Sequence, residues 1–479
     1  MDKLTNKIVN KNNKNIRILQ FGEGNFLRAF VDWFIEKMNK QGIIDSHVCV
    51  VQPLPLGRVQ NLKEQDGLYT LYLQGVENGK TIRNHEVIDV LSDFINPYTE
   101  YDRYLEYAKK EDLELVISNT TEAGIVLDKD DLDFSVTPNS FPSKVLALLK
   151  TRYDYFNHDK NKGLSFICCE LIDNNAKKLK EVLLQLSELK GYDESFKEWI
   201  NNSCHFSSTL VDRIVPGFPK NDIDGIYNEL GYIDDNVVVG ELFHLWVLEN
   251  DEHIKKIFPV DKMGLNAIYV DSIKPYKIRK VRILNGCHTL MVPVSYLYGI
   301  DTVRESILDE YVGKFVKKYA YDVVVPTIDL DKNDLLRFAN SVFDRYLNPF
   351  VRHELMSIAL NSISKFKERV LPTLIDYYKM RGKYSKTIAF SLASLIVFYE
   401  GKRGEETIKL NDNKKYLEYI ESIKNDNDYA YKFLNKTEFF DYDLSQIDGF
   451  NDCVLDYYNN IKKYGMKKSL KDFVEGGYE

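Results

Sequence analysis

A two-part α/β architecture follows from three features of the chain. Short apolar runs rich in β-formers alternate with helical patterns through the first half. A Gly-x-Gly turn directly follows the first of those runs. Beyond about residue 265 long helical patterns take over. Strands alternating with helices build a parallel sheet covered on both faces, and the helix-dominated remainder reads as a mostly α-helical domain. At 479 residues the chain exceeds what one hydrophobic core normally serves. The expected division is a loose polar arm over 1–15, an α/β domain over 16–265 and a helical domain over 266–479.

The first strand is read at Ile16–Phe21, followed at once by Gly22-Glu23-Gly24-Asn25-Phe26 and then by apolar residues at helical spacing from Phe26 to Met38. A strand, a Gly-x-Gly turn and a helix are how dinucleotide-binding sheets receive a pyrophosphate. The glycines let backbone approach the phosphates, and the helix start offers free amides. The α/β domain is therefore read as Rossmann-like. Leu27 stands where the third glycine of that fingerprint usually falls. Phe21, Gly22, Gly24, Asn25, Phe26 and Arg28 become candidate cofactor contacts, with Arg28 set either to reach phosphate or to form a surface salt bridge.

The second strand is read at 47–51 and ends in Gln52-Pro53-Leu54, with no acid to hold ribose hydroxyls. Gln52 is the candidate there, and these residues alone do not separate NAD from NADP. The third strand, 113–118, ends in Asn119-Thr120-Thr121-Glu122. Ligands of such sheets sit beyond the carboxyl ends of the strands, so these four are either cofactor contacts or an ordinary helix cap. Helical patterns at 143–156 and 176–189 flank a fourth strand at 164–169. Asp212-Arg213 lies between apolar residues and reads as a structural ion pair, with a role in holding the cleft as the alternative.

The helical domain opens with the stretch richest in chemistry, Lys280-Val281-Arg282-Ile283-Leu284-Asn285-Gly286-Cys287-His288. Pro275 and Pro293 punctuate the expected helix. With Lys280 set at 0° and about 100° per residue, His288 falls near ~80° and Asn285 near ~140°. Met291, Leu284, Val281 and Val292 occupy the same arc. A lysine among apolar side chains is costly to bury, and burial pulls its pKa toward neutrality, where it can transfer protons. Lys280, Asn285 and His288 are the candidate catalytic residues. Further on, Asn361, Lys365 and Arg369 recur every four residues and so share one face of a regular helix. Such a face is ordinarily a solvated one, and an amide and two cations on it would also suit a carboxylate.

Composition narrows the partners. A net charge of -8 without a lysine- or arginine-dense block argues against nucleic acid. No run approaches the ~20 apolar residues of a membrane span, and the polar start is no secretory signal, so a cytoplasmic protein is expected. The six cysteines and eight histidines show no metal-ligand spacing. Reduced thiols and no metal are expected. Oligomeric state is not legible.

Taken together, Gly22-x-Gly24-x-Phe26-x-Arg28-Ala29, Thr121-Glu122-x-Gly124, Asp212-Arg213-Ile214 and Lys280-x4-Asn285-x2-His288 resemble the polyol-specific long-chain dehydrogenases, the mannitol dehydrogenase family. The likeness runs from about residue 16 to beyond 400. It implies zinc-independent hydride transfer with NAD, a catalytic lysine, a Rossmann-like first domain and a helical second one. Within the family the closest matches, including Cys169-Glu170-Leu171-Ile172-Asp173 and Lys274-Pro275-Tyr276-Lys277, imply a small sugar-acid substrate. One departure stands out. Mannitol-type members read Cys-Asp-Asn where this chain has Cys169-Glu170-Leu171, and Leu171 offers no hydrogen bond to a reacting oxygen. Asn174, Asn175, or Asn285 with His288 alone are the remaining candidates. A dinucleotide-binding regulator without catalysis is the rival class, and it has no need of the Lys280, Asn285 and His288 trio.

Overall fold

The computed structural model describes residues 1–11, 14–121 and 123–477. The chain divides into two compact units, Met1–Gln74 with Ile82–Ile273, and Gly75–Thr81 with Lys274–Glu479.

The first unit carries strands β1 (Ile16–Phe21), β2 (His47–Val51), β3 (Tyr69–Glu77), β4 (Lys80–Ile88), β5 (Leu91–Ile95), β6 (Leu115–Ser118), β7 (Ser165–Cys168), β8 (His205–Asp212), β9 (Val238–Glu241), β10 (Leu245–Glu249) and β11 (Ala267–Val270), except for the tip of the β3–β4 hairpin, Gly75–Thr81, which is counted with the second. Eight of them form one sheet in the order β11-β10-β8-β7-β6-β1-β2-β5. From β5 to β8 every neighbouring pair is parallel. β10 then runs antiparallel to β8, and β11 parallel to β10. A separate three-stranded sheet has the order β4-β3-β9.

Successive side chains of a strand point to opposite faces, and both faces of the large sheet are covered. Ile18, Val48, Val50, Leu115 and Ile117 join one core with the helix Val31–Lys40. Leu19, Phe21, Cys49, Val51 and Val116 join the other, with the helices Phe141–Tyr155 and Asn175–Leu189. Double coverage is why these strands read as unbroken apolar runs rather than as alternating ones.

Two boundaries differ from the sequence reading. The first residues are not a loose arm, because Leu4 is buried and its N–H donates to Ile233 O at 2.8 Å. At the far end β11 adds a strand to the sheet, which carries the first unit to Ile273 rather than 265.

In the second unit the helix Lys386–Phe398 is buried on all sides from Thr387 onward. It packs against the helices Gly286–Tyr298 and Phe450–Tyr464. Such a helix has no polar stripe to present, so it must be enclosed. The single helix expected between Pro275 and Pro293 is instead three segments. An α-helix over Lys274–Arg279 passes into a π-helical turn over Lys280–Asn285, then into the α-helix Gly286–Tyr298. Pro293 lies inside that last helix and does not end it. Gly299, at φ 105°, does. Among the described residues no helix is long and apolar enough to cross a membrane, and no three or more His, Cys, Asp or Glu side chains gather as a metal-ligand set.

Asp32 is wholly buried on the helix behind the glycine turn. It accepts a hydrogen bond from the Tyr69 hydroxyl at 3.1 Å. Burial pushes its carboxyl up to about 7, against the pull of Tyr69 and Arg28. A carboxyl raised in the folded state stabilises that state at low pH and loses this contribution as pH rises from its unfolded pKa through the folded value. The thermal midpoint of Asp32→Asn is therefore expected to gain on the wild type as pH is raised from 5 to 8. A difference that stays flat across that range removes Asp32 as a titrating group.

Candidate active site

In the first unit the chain leaves β1, builds β2 and β5 on one side, and returns to β6 on the other. The strand order reverses there, and such a switch point opens a crevice at the carboxyl ends. Phe21 pairs with Ser118 and with Val51, and Ser118 with Cys168. The loops after β1, β2, β6 and β7 thus begin level with one another.

The glycines at this edge have separate reasons. Gly22 sits at φ +125°, and a Cβ there would stand 2.9 Å from Leu27 Cδ1 and 3.2 Å from Asn119 O. Gly24 is exposed, and a Cβ there would meet nothing within 4 Å. The open space belongs to Gly24, while Gly22 lets the loops after β1 and β6 approach. A dinucleotide pyrophosphate fits this arrangement: Gly24 and Asn25 would offer backbone to it, flanked by Thr120 and Thr121, while the Gly22 N–H is taken by Val51 O at 3.2 Å.

Other predicted contacts turn out to brace the crevice. The Phe21 ring is in the core, edge-on to Tyr104 and Phe141. Phe26 stacks on Phe30. Arg28 neither reaches outward to a phosphate nor forms a surface ion pair. It is 3% exposed, and its guanidinium donates to Glu23 O (3.3 Å), Asn25 Oδ1 (2.7 Å) and Asn236 O. Gln52 Nε2 is occupied by Leu54 O and Pro55 O at 2.8 and 3.2 Å, where it shapes the loop after β2. That loop borders a cavity of about 250 Å³ lined by Gln52, Gly57, Phe94 and Asn96. The amide of Asn119 donates to Cys169 O at 2.6 Å. Glu122 lies outside the described residues. Arg213 donates to Ala29 O, Phe243 O and Leu242 O, a structural role met by carbonyls.

Glu170 ties the loop after β6 in place, a role the sequence reading missed. It is buried and accepts from Ser118 Oγ (3.1 Å), Thr120 N (3.0 Å) and Thr120 Oγ1 (3.1 Å). Burial raises its pKa, and these hydrogen bonds oppose the rise. Its neighbour Leu171 is 65% exposed. Asn175 cannot stand in for the missing asparagine, because its side chain is buried and bonded to Glu170 O, Thr209 O, Ala176 N and Thr209 N. Asn174 is exposed, in the left-handed conformation that opens the next helix.

In the second unit the π-turn alters the phase on which the sequence reading relied. In an α-helix residues 280 and 285 stand about 140° apart. A turn closed by i→i+5 bonds places residues five apart one above the other. Gly286 N–H reaches back to Val281 O in this way. Lys280 and Asn285 are thereby drawn toward one face, and His288, three residues beyond Asn285 in α geometry, follows on it. All three are partly buried.

The imidazole of His288 tilts over the Tyr346 ring at 4.4 Å and stands edge-on to His353 at 5.0 Å. Its Nε2 is buried and has no hydrogen-bond partner among the described residues. Burial holds its pKa well below the usual histidine range, helped by the charges of His353, Arg345, Arg369 and Lys365. Lys365 and Arg369 thus lie in the electrostatic environment of His288, joined by Arg345, which the sequence reading did not single out. Lys365 is itself lowered, by burial and then by Arg369, and its Nζ donates to Ile358 O at 2.7 Å. Asn361 does not share their helical face. It is exposed and left-handed at φ 54°, just before the helix Ser362–Arg369 begins. Arg282 turns away to Asp376 at 2.7 Å.

Residues 16–261 match the family model described as the mannitol dehydrogenase Rossmann domain, and residues 272–462 match the mannitol dehydrogenase C-terminal domain. The chain belongs to the mannitol dehydrogenase family. Among curated relatives of this family member, an altronate oxidoreductase of Bacillus subtilis (strain 168) is 41% identical over 467 residues, 96% of each chain. One of Phocaeicola vulgatus is 45% identical over 401 residues, 84% of each chain. Among solved structures the fold is shared with a D-sorbitol dehydrogenase (TM-score 0.83, 22% identity, 95% of each chain). It is shared also with a Pseudomonas fluorescens mannitol 2-dehydrogenase in complex with NAD and D-mannitol (TM-score 0.66, 21% identity, 97% of this chain and 95% of that one).

Removing the buried acceptor of three hydrogen bonds costs about 1 kcal/mol or more for each donor left unpaired. Glu170→Ala is expected to weaken NADH binding by roughly tenfold or more, a factor that corresponds to ~1.4 kcal/mol, as read by quenching of protein fluorescence. Unchanged NADH affinity would show that Glu170 does not order the loop.

Proposed function

We propose that the chain is an NAD-dependent tagaturonate reductase that interconverts D-tagaturonate and D-altronate. The observation that carries this reading is the cation group around His288. Lys365 and Arg369 act on a buried imidazole whose Nε2 has no hydrogen-bond partner among the described residues, which suits a substrate that brings its own carboxylate. The names of the curated relatives at 40–45% identity support the same substrate.

In this reading the bound dinucleotide supplies or accepts hydride. As the ketone is reduced, negative charge gathers on its oxygen. Asn285 Nδ2 and His288 Nε2 donate hydrogen bonds to that oxygen, the preorganised stabilisation that such reactions depend on. His288 is held neutral by burial and then by the surrounding cations, so with its proton on Nε2 it donates without acting as a competing acid. Lys280 as ammonium protonates the new alkoxide, and in the reverse direction neutral Lys280 takes the hydroxyl proton. Lys365 and Arg369 hold the substrate carboxylate, the guanidinium in a two-point grip that an ammonium cannot make. Leu171 contributes no polar group, so Asn285 and His288 carry the oxyanion.

Loss of NADH absorbance with tagaturonate, fructuronate and fructose side by side tests the substrate. Tagaturonate is expected to give the highest kcat/KM, and a clear preference for fructose sinks the reading. Lys280→Ala is expected to lower turnover by roughly 10²–10⁴-fold, the range for a general acid–base group. Near-normal turnover removes Lys280 from the chemistry. Lys365→Ala is expected to raise KM for tagaturonate more than for an uncharged ketose, and equal effects on both would deny it the carboxylate.

A further inference from the structure

Tyr346 has no role in the scheme above, yet it touches the helix that carries all three candidate catalytic side chains at its most irregular point. It ends the helix Lys332–Tyr346 and is buried. Its hydroxyl donates to Leu284 O at 2.6 Å, a carbonyl of the π-turn itself. Residues 284 and 288 are the carbonyl and N–H that an α-helix would join directly. The phenol thus occupies a carbonyl of the widened turn, and a side chain that engages the helix ladder is one of the few things that can hold a helix out of regular register. The same residue's ring lies under the His288 imidazole at 4.4 Å, and Phe343 sets that ring from the side at 6.1 Å and 90°.

Two neighbours hold the opposite side. A Cβ on Gly286 would stand 3.0 Å from the Tyr319 hydroxyl and 3.3 Å from Arg369 O, so the helix is pressed against that carbonyl just beyond the turn. Leu284 and His288 are therefore gripped by one side chain, while Gly286 fixes how closely the helix can approach.

We propose that Tyr346 is a positioning residue for the reduction: its hydroxyl stabilises the widened turn that brings Lys280 and Asn285 together, and its ring sets the direction of His288 Nε2. The inference rests on the assignment of those three residues to the chemistry. Without the hydroxyl, Leu284 O loses its side-chain donor and is left to the helix's own N–H groups. The turn then tightens toward α geometry, and Lys280 and Asn285 move apart around the helix axis.

Tyr346→Phe keeps the ring and removes only the bridge. The full-length variant is expected to lose kcat for tagaturonate reduction by at least tenfold while KM for NADH stays within twofold. The direct readout needs no substrate: ¹⁵N-detected imidazole spectra of histidine-labelled protein, with the His288 signal assigned by its absence in His288→Asn. In the wild type that ring is expected to titrate well below the usual histidine range, held there by burial and then by the charges around it. In Tyr346→Phe its chemical shift and tautomer balance are expected to change. Tyr346→Leu, which lacks the stacking surface as well, is expected to perturb the His288 signal further, with the thermal midpoint recorded for all three proteins. A Tyr346→Phe enzyme with wild-type kcat and an unmoved His288 signal overturns the proposal. If the wild type does not oxidise NADH with tagaturonate, the substrate assignment fails instead, and the imidazole spectra still decide whether Tyr346 sets His288.

Discussion

The parallel pairing of β1 with β6 is the constraint on which the first unit depends. It joins residues nearly a hundred positions apart in sequence and fixes where the strand order turns back. Because Phe21 and Ser118 end in register, the turns that follow them are forced close together, and Gly22 is what makes that approach possible. The polar side chains around the edge then follow a common logic. Arg28, Gln52, Asn119 and Glu170 are largely occupied by backbone carbonyls and amides. A crevice that must receive a charged ligand on exposed backbone needs its loops fixed beforehand, and buried polar groups with satisfied partners fix them.

The second unit solves a different problem. Positive charge collects around His288 from Lys365 and Arg369, with Arg345 beside them. Gathering like charges costs free energy, and burial of Lys365 and Arg369 adds to it, as the lowered pKa of each shows. A ligand carboxylate would relieve that cost on arrival. The arrangement thus spends some stability in advance for affinity toward an anion, the usual balance at a functional site.

The sheet was legible where strands are buried on both sides, because β1, β2, β6 and β7 are continuous apolar runs. β3 and β4 were missed although Asn78-Gly79 joins them, both residues at positive φ, a hairpin signal that only reads once the flanking runs are recognised as strands. β8, β10 and β11 were not resolved as strands, and that is why the boundary fell short of Ile273. At the site, the residue types were legible and their duties were not. Arg28 looked like a phosphate ligand because sequence cannot show that Asn236 O and Glu23 O lie within its reach. Asn361 looked like a partner of Lys365 because a period of four presumes a helix that begins only at Ser362. Glu170 gave no signal beyond its difference from the expected aspartate, and Arg345 none at all, since both act through contacts distant in sequence.

The π-turn has a consequence for reading this helix. It holds one residue more than an α-turn does for the same closing of the backbone. Every side chain beyond Asn285 is therefore rotated by about 100° from where a count starting at Lys274 would put it. The apolar stripe before the turn and the one after it lie on different meridians of the same rod. A periodicity fitted across both finds a blurred stripe, and an Asn285 assigned to the wrong flank, although each half taken alone is regular.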